Sequence, residues 1–217
     1  MTFDCDALLF DMDGTLVDST VCVETMWRRW AARHRLDVEA ILAVCHGRRT
    51  IDTLTEVAPH LDVAKEAEVF ELEELDAREG VFAVEGAAEL LALLRPEEWA
   101  VVTSASQELA TRRLQLCGLP VPRVLVGADD VSRGKPDPEG YRTAARRLGF
   151  PPEGCLVIED TPAGIEAGRV GGMQVLGITT TYPANLLRGV PCIAEFSQVQ
   201  VSRAAPDSGC RLRIKIR

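Results

Sequence analysis

Charged and hydroxyl side chains follow the short apolar runs that we interpret as buried strands. Two aspartates follow the run at residues 7–10, and a glutamate and an aspartate follow the run at 156–158. The loops between these two points supply two hydroxyls and one lysine. These residues are Asp11, Asp13, Thr103, Ser104, Lys135, Glu159 and Asp160. Because the active site of an open parallel sheet lies beyond the carboxyl ends of its strands, we expect these side chains to meet at one edge.

This combination of residue types suits the transfer of a phosphoryl group. Carboxylates crowded together repel one another unless a hard cation neutralises them, and a set of oxygen ligands selects Mg²⁺. A lysine and a hydroxyl beside that cation suit the oxygens of a phosphate. In such a site one aspartate can attack phosphorus and form an aspartyl-phosphate. A second aspartate two residues away can donate a proton to the leaving oxygen and then accept one from water.

The apolar patterning predicts an α/β fold. Helical stretches at 107–117, 139–148 and 163–170 separate the buried runs at 99–103, 124–126, 156–158 and 175–178. Strands that alternate with helices form a parallel sheet, and continuous apolar runs are typical of strands covered on both faces. We therefore predict a Rossmann-like parallel sheet with helices on both faces.

The segment after the first strand shows only helical patterning. Apolar residues recur there at helical spacing through two amphipathic stretches. We predict an all-helical cap domain over residues 17–83, inserted into an α/β core formed by residues 1–16 and 84–200. Residues 201–217 turn basic and lack clear periodicity, so we expect a mobile tail and assign it no role.

Four motifs resemble, in order, those of the haloacid dehalogenase-like hydrolases. They are Asp11-Met12-Asp13-Gly14-Thr15, Thr103-Ser104, Gly134-Lys135-Pro136 and Ile158-Glu159-Asp160. The resemblance covers about residues 5–180, and the run at 159–165 is similar to the subclass with a helical cap after the first motif. The cap motif at 46–50 and the run at 99–104 are most similar to the glycerol-phosphate and 2-deoxyglucose-phosphate phosphatases.

The resemblance implies a nucleophile, an acid/base and a metal site. Asp11 would be the nucleophile and a magnesium ligand. Asp13 would be the acid/base and would also bind the metal through its backbone carbonyl. Asp160 would bind magnesium, and Glu159 would bind it directly or through water.

The resemblance also implies a phosphate site and a substrate contact. Ser104 and the backbone amide of Ala105 would hold the phosphoryl group, and Lys135 would join the phosphate to the nucleophile. In the cap motif, neighbouring arginines point in different directions, and the family pattern singles out Arg49 to contact substrate hydroxyls. We expect the substitution Arg48→Ala to leave the kinetics nearly unchanged.

The sequence therefore predicts a magnesium-dependent phosphatase that acts on a small sugar or polyol phosphate. A sugar phosphomutase of the same fold is the alternative. Similar mutases carry a histidine on the helix after the first motif, and residues 19–24 contain none. A dehalogenase is disfavoured because the acid/base and the metal carboxylates serve phosphoryl transfer. A phosphorylatable signalling receiver also has an aspartate, a hydroxyl and a lysine at strand ends, but such domains lack the insertion.

The composition limits the class of partner. Against 33 acidic residues stand 24 Lys and Arg, and the net charge of −9 argues against nucleic acid or an anionic membrane surface. No apolar stretch approaches the roughly 18 residues of a spanning helix, and the first residues are acidic. We therefore expect no membrane partner, a cytoplasmic location and a monomer. The seven cysteines include no Cys-x-x-Cys pair, so no zinc ligand cluster is predicted.

Overall fold

Six parallel strands form the central sheet of the molecule, which the computed structural model describes over residues 1–205 and 209–217. The described residues contain strands of this sheet and of two smaller sheets. Numbered together along the chain, they are β1 (Thr2–Cys5), β2 (Ala7–Phe10), β3 (Val17–Asp18), β4 (Phe82–Ala83), β5 (Trp99–Val102), β6 (Leu125–Val126), β7 (Cys155–Glu159), β8 (Gln174–Ile178), β9 (Cys192–Ile193), β10 (Val199–Arg203) and β11 (Leu212–Ile216). The central sheet has the order β6-β5-β2-β7-β8-β9, and every neighbouring pair is parallel. The predicted α/β fold is confirmed.

Helices cover both faces of this sheet. The helices of the described residues are α1 (Thr20–His34), α2 (Val38–Cys45), α3 (Thr50–Val57), α4 (Val63–Asp76), α5 (Ala87–Ala92), α6 (Gln107–Leu116), α7 (Glu139–Leu148) and α8 (Pro162–Val170), and α5 to α8 are the ones that cover the sheet. Leu8 and Phe10 of β2 belong to a core shared with α5 and α6, whereas Leu9 faces the other way into a core shared with α7 and α8. The two-residue alternation of a strand thus divides the core into two layers. No helix in the described ranges has the length and apolar character needed to cross a membrane.

Helices α1 to α4 lie in the segment that follows the first strand of the central sheet. Trp27 of α1 contacts Trp30 edge to face, with ring centroids 5.6 Å apart, and lies 4.4 Å from the ring of Phe70 in α4. All three rings are buried, so aromatic packing joins α1 to α4. The strands β3 and β4 pair antiparallel where this segment begins and ends. The prediction of an all-helical segment over 17–83 is therefore wrong at its ends, where two-residue strands leave no readable pattern.

The C-terminal segment forms part of a second sheet. Strands β10 and β11 pair antiparallel, and β11 also pairs with β1. Leu212 and Ile214 are fully buried, while the intervening Arg213 and Lys215 are exposed. The expectation of a mobile tail over 201–217 is therefore wrong for its described residues, and 206–208 lie outside them. The overlooked signal is the two-residue alternation of β11, which is typical of a strand covered on one face.

Capped loops carry two strand ends directly into the next helix. Ser106 caps α6 by accepting a hydrogen bond from the amide of Leu109 at 3.2 Å. Thr161 caps α8 by accepting one from the amide of Gly164 at 3.1 Å. Each cap satisfies an amide that the first helical turn leaves unpaired. The residues after β5 and β7 are thereby held at the carboxyl edge of the sheet.

Candidate active site

The carboxyl ends of β2 and β7 bring three carboxylates together around a lysine. One oxygen each from Asp11, Glu159 and Asp160 lies within 4.8 Å of the other two. The ammonium group of Lys135 donates to Asp11 Oδ1 and, at 2.6 Å, to Glu159 Oε1. All four side chains are buried. The loop that carries the lysine precedes α7, which packs against β2 and its neighbour β5.

Burial and mutual repulsion shift the pKa values in this cluster. Burial raises the pKa of Asp11 against the opposing charge of Lys135, and the carboxylate of Glu159 adds to the rise. Burial is also the main cause that raises the pKa of Asp160 well above its usual range, and the negative charge of Glu159 is the second. Burial disfavours the ammonium of Lys135, but Asp11 and Glu159 outweigh it and raise its pKa. One ammonium thus faces three carboxylates, a charge balance that calls for a further cation.

The two carboxylates after β7 differ in their hydrogen bonding. Glu159 Oε1 accepts from Lys135 and from the hydroxyl of Tyr141 at 3.1 Å, and its Oε2 accepts from the amide and hydroxyl of Thr161 at 2.9 and 3.0 Å. Asp160 Oδ1 accepts from the hydroxyl of Thr15 at 3.1 Å. Among the described residues, its buried Oδ2 makes no hydrogen bond of acceptable geometry, and the nearby hydroxyl of Thr181 only partly offsets the rise in the pKa of this carboxyl.

An unpaired buried carboxylate oxygen needs a partner, and one oxygen of this same carboxylate lies within 4.8 Å of an oxygen of Asp11. Oxygen donors alone suit a hard divalent cation such as Mg²⁺. The carboxylates of Asp11 and Asp160 therefore fit a hard divalent cation. Both oxygens of Glu159 are already occupied by protein donors, so this side chain orients Lys135.

The two groups predicted to hold phosphate lie after β5. The hydroxyl of Ser104 donates to the backbone carbonyl of Gly47 at 2.9 Å, and the amide of Ala105 donates to the hydroxyl of Thr103 at 3.1 Å. Ser104 and Ala105 line the same cavity as Asp11. Phosphate at this point would have to replace those two acceptors.

Asp13 faces the same cavity from the loop after β2. Its side chain is 27% exposed, unlike the buried Asp11. Oxygen Oδ1 accepts from the hydroxyl of Ser19 at 2.6 Å and from Arg113 Nη1 at 2.7 Å. The second nitrogen of Arg113, Nη2, donates to Glu74 Oε1 at 2.8 Å.

Residues of the helical segment close the cavity over the sheet edge. The cavity has a volume of about 70 Å³. Its walls on that side are Val23, Trp27, Cys45, His46, Arg48, Thr50 and Phe70. Burial lowers the pKa of His46, which favours a neutral ring. Gly47, with a φ of +75°, lies so close to the sheet edge that a Cβ would come within 2.4 Å of the Thr161 hydroxyl, so only glycine fits there.

The two adjacent arginines point in different directions. Arg49 forms two hydrogen bonds with Asp52, at 2.7 and 2.9 Å, and a third with the carbonyl of Val131 at 3.3 Å. Arg48 pairs with Glu56 at 2.7 Å and lines the cavity that contains Asp11, whereas Arg49 does not line it. The substrate contact expected of Arg49 stays a prediction. Because Arg48 lines the cavity, it is a second candidate for that contact.

Several residues of the site were not singled out from the sequence. They are Thr15, Ser19, Glu74, Arg113, Tyr141 and Thr161. Arg113 carried the clearest signal, because it falls on the buried stripe of α6 beside Leu109, Ala110 and Leu114. A charged residue on such a stripe needs a buried partner. Thr15, Glu74 and Tyr141 depend on contacts far apart in the sequence. Ser19 and Thr161 contact near neighbours, but a polar residue in a loop carries no signal of that role.

Comparison with known proteins supplies the family. A model described as haloacid dehalogenase-like hydrolase matches residues 5–172. The chain is 42% identical over 205 residues to hexitol phosphatase A of Escherichia coli, covering 92% of this chain and 95% of that protein. It is 34% identical over 206 residues to glycerol-1-phosphate phosphohydrolase 2 of Saccharomyces cerevisiae, covering 88% of this chain and 82% of that protein.

Solved structures agree with the sequence relatives. A hydrolase from Pseudomonas syringae has a TM-score of 0.75 and 27% identity, covering 87% of this chain and 91% of that chain. The parallel sheet and the clustered carboxylates match the fold and the motifs expected from the sequence. The chain belongs to the haloacid dehalogenase-like hydrolases.

Proposed function

We propose that this hydrolase is a magnesium-dependent phosphatase that releases phosphate from a small sugar or polyol phosphate through an aspartyl-phosphate on Asp11. The observation that carries the proposal is the buried contact between Lys135 and Asp11 beside the unpaired oxygen of Asp160. This arrangement combines a nucleophile, a cation for phosphate and a place for a metal. The names of the relatives, a hexitol phosphatase and a glycerol-1-phosphate phosphohydrolase, support the substrate class.

Asp11 supplies the nucleophile in the first step. One of its carboxylate oxygens forms a bond to phosphorus while the bond from phosphorus to the alcohol oxygen of the substrate breaks. The electron pair of the breaking bond stays on the alcohol oxygen. Lys135 donates one hydrogen bond to the Asp11 carboxylate, which holds it in place, and a second to Glu159 Oε1. The third proton is left for a phosphate oxygen.

Asp13 moves the protons in both steps. In the first step its carboxyl group gives a proton to the alcohol oxygen as that oxygen leaves. In the second step water attacks phosphorus, a proton of that water passes to Asp13, and the electron pair of the P–O bond returns to Asp11. One phosphate monoester and one water become one alcohol and one phosphate, and both aspartates are restored.

Asp11 and Asp160 would hold the magnesium ion, with the backbone carbonyl of Asp13 as a further ligand by family resemblance. When bound, the ion would neutralise negative charge on the phosphoryl oxygens. Both oxygens of Glu159 already accept two protein hydrogen bonds each. Glu159 is therefore proposed to position Lys135 and to contact the metal only through water. Ser104 and the amide of Ala105 would exchange their present acceptors for phosphate oxygens.

The helical segment is proposed to select the substrate. One buried water needs about 10–15 Å³, so a cavity of about 70 Å³ holds about five to seven waters. That space suits a small polyol better than a large sugar conjugate. Closure of the cavity would also keep bulk water from the aspartyl-phosphate. Arg49 remains the proposed contact to substrate hydroxyls, with Arg48 as the rival.

The test is a turnover screen over phosphorylated polyols and sugars, with Mg²⁺ and with a chelator. We expect inorganic phosphate to appear with small polyol or sugar phosphates, only when Mg²⁺ is present and not with Asp11→Asn. Rearrangement of a sugar phosphate without phosphate release would instead support the phosphomutase. Release that persists at full rate in excess chelator would contradict the magnesium requirement.

A further inference from the structure

A buried arginine links the acid/base of the site to the helical segment above it. Arg113 lies on α6, beneath the edge of the sheet, and its side chain is only 5% exposed. Its guanidinium donates to Asp13 with one terminal nitrogen and to Glu74 of α4 with the other. The planar guanidinium holds the two carboxylates on two separate nitrogens at a fixed spacing, whereas a lysine ammonium would have to hold both on a single nitrogen.

The hydrogen bonds at Asp13 distinguish its two oxygens. Arg113 and Ser19 both donate to Oδ1, and these are the bonds that the described residues make to this carboxylate. An oxygen that already accepts two hydrogen bonds cannot also present a proton to a substrate. The proton that Asp13 exchanges therefore resides on Oδ2. The two donors thus set both the rotation of the carboxyl group and the oxygen that does the chemistry.

Glu74 holds the arginine from the other side. Its side chain is 11% exposed, and its Oε1 accepts from Arg113 at 2.8 Å. Burial opposes the charge of Arg113, but the carboxylates of Asp13 and then Glu74 outweigh it and raise the pKa of the guanidinium. The arginine therefore stays charged and needs both partners, since a buried charge without its partner is costly. Because α4 belongs to the helical segment, this pairing exists only while that segment lies over the sheet edge.

We propose that Arg113 is a positioning residue that orients the Asp13 carboxyl for proton transfer, and that Glu74 fixes Arg113 when the helical segment closes. The inference rests on the proposed phosphatase function and adds the residues that prepare its acid/base. Asp13 must protonate an alkoxide when a polyol leaves, because an alkoxide is strongly basic. A nitrophenolate is a weak base and leaves without that proton. Loss of the Asp13 orientation therefore slows the reaction of the polyol phosphate and leaves that of the nitrophenyl phosphate nearly unchanged.

The experiment compares kcat/KM for a polyol phosphate and for para-nitrophenyl phosphate in wild-type protein, Arg113→Lys, Glu74→Gln and Arg112→Met. For each substrate, kcat/KM reports only the steps up to formation of the aspartyl-phosphate. Arg112 is the matched control, because it lies on the same helix, is half exposed and pairs with Glu108. It also donates to the carbonyl of Leu75 in α4 at 3.3 Å, so its loss removes a contact to the helical segment without touching Asp13. Thermal unfolding of each variant shows whether it is folded.

In Arg113→Lys we expect kcat/KM for the polyol phosphate to fall about tenfold or more, a part of the 10²- to 10⁴-fold that general acid catalysis supplies. The value for para-nitrophenyl phosphate should change less than about threefold on the same reasoning. Glu74→Gln should show the same selectivity with a smaller loss, and Arg112→Met should match wild type on both substrates.

Equal losses on both substrates, in variants that remain folded, would make Arg113 a structural residue and overturn the inference. Unchanged kinetics in both Arg113→Lys and Glu74→Gln would overturn it as well. If Arg113→Lys does not fold, the selectivity of Glu74→Gln decides. Failure of the wild-type protein to release phosphate from either substrate would instead reject the proposed function itself, so the two outcomes are separable.

Discussion

The two sides of the candidate site are held together in different ways. Around Asp11, every partner comes from the α/β part of the chain, and Lys135 and Glu159 are as deeply buried as the aspartate. Around Asp13, the contacts cross to the helical segment through Arg113 and Glu74. The first side is preorganised, which is what stabilisation of a charged transition state requires. The second depends on contacts between the α/β part and the helical segment, so any movement of that segment would change it.

The largest effect should come from the preorganised side. We expect Asp11→Asn to lower phosphate release by 10³-fold or more, about 4 kcal/mol, because the amide keeps the shape and loses the nucleophile. Steady-state release of phosphate from a polyol phosphate measures it. Asp76→Asn, an exposed change at the end of α4, is the control and should match wild type. Retention of a tenth of the wild-type rate would remove Asp11 from the nucleophile role.

Lys135→Arg should be the next most damaging change. Its charge is kept, but the larger planar group cannot occupy the buried space between Asp11 and Glu159. A displacement of the nucleophile by about 1 Å can cost about 10²-fold, and we expect a loss of that order in kcat. Lys65→Arg, in the first turn of α4, serves as the matched control. Near-normal kinetics for Lys135→Arg would show that the lysine does not bridge phosphate and aspartate.

The metal prediction separates the two carboxylates after β7. A ligand present at 100 times its dissociation constant stabilises the folded state by about 2.7 kcal/mol, so Mg²⁺ at that excess should raise Tm in wild-type protein. Asp160→Ala should abolish the rise because it removes the unpaired oxygen. Glu159→Gln should retain most of it. A larger loss of the Mg²⁺ response in Glu159→Gln would make Glu159 the principal ligand.

The smallest effects should come from the arginines of the helical segment. From the family resemblance we expect Arg49→Ala to raise KM for a polyol phosphate several-fold and to leave para-nitrophenyl phosphate nearly unchanged. Arg48→Ala is the matched comparison, and it should be nearly silent. Because Arg48 lines the cavity and Arg49 pairs with Asp52, a larger effect of Arg48→Ala would transfer the substrate contact to Arg48.

The preorganised side could be predicted from sequence because its rule is local. A polar residue directly after a buried strand lies at the carboxyl edge of a parallel sheet, whichever helices surround it. Asp11, Glu159 and Asp160 follow that rule, and the structure brings them together. Lys135 lies farther from a strand; it was expected at the same edge, and the resemblance added its role of joining the phosphate to the nucleophile.

The other side could not be predicted in the same way. The partners of Asp13 depend on how α4 and α6 pack, and Glu74 and Arg113 stand 39 residues apart. The direction of Arg49 was equally hidden, because Asp52, one helical turn along α3, captures its guanidinium. The two-residue strands β3 and β4 are too short for any periodicity. The alternation in β11 was present but lay in a stretch whose basic residues suggested a tail.

The most direct test of the mechanism is a rapid-mixing experiment with Asp13→Asn and para-nitrophenyl phosphate. The aryl group leaves without a proton from Asp13, whereas water cannot attack the aspartyl-phosphate efficiently without that base. We expect a burst of nitrophenolate equimolar with enzyme, followed by slow turnover, and a phosphoryl group on the peptide that contains Asp11 after acid quenching. Hydrolysis without a burst, or a phosphoryl group on a different peptide, would contradict the double displacement through Asp11.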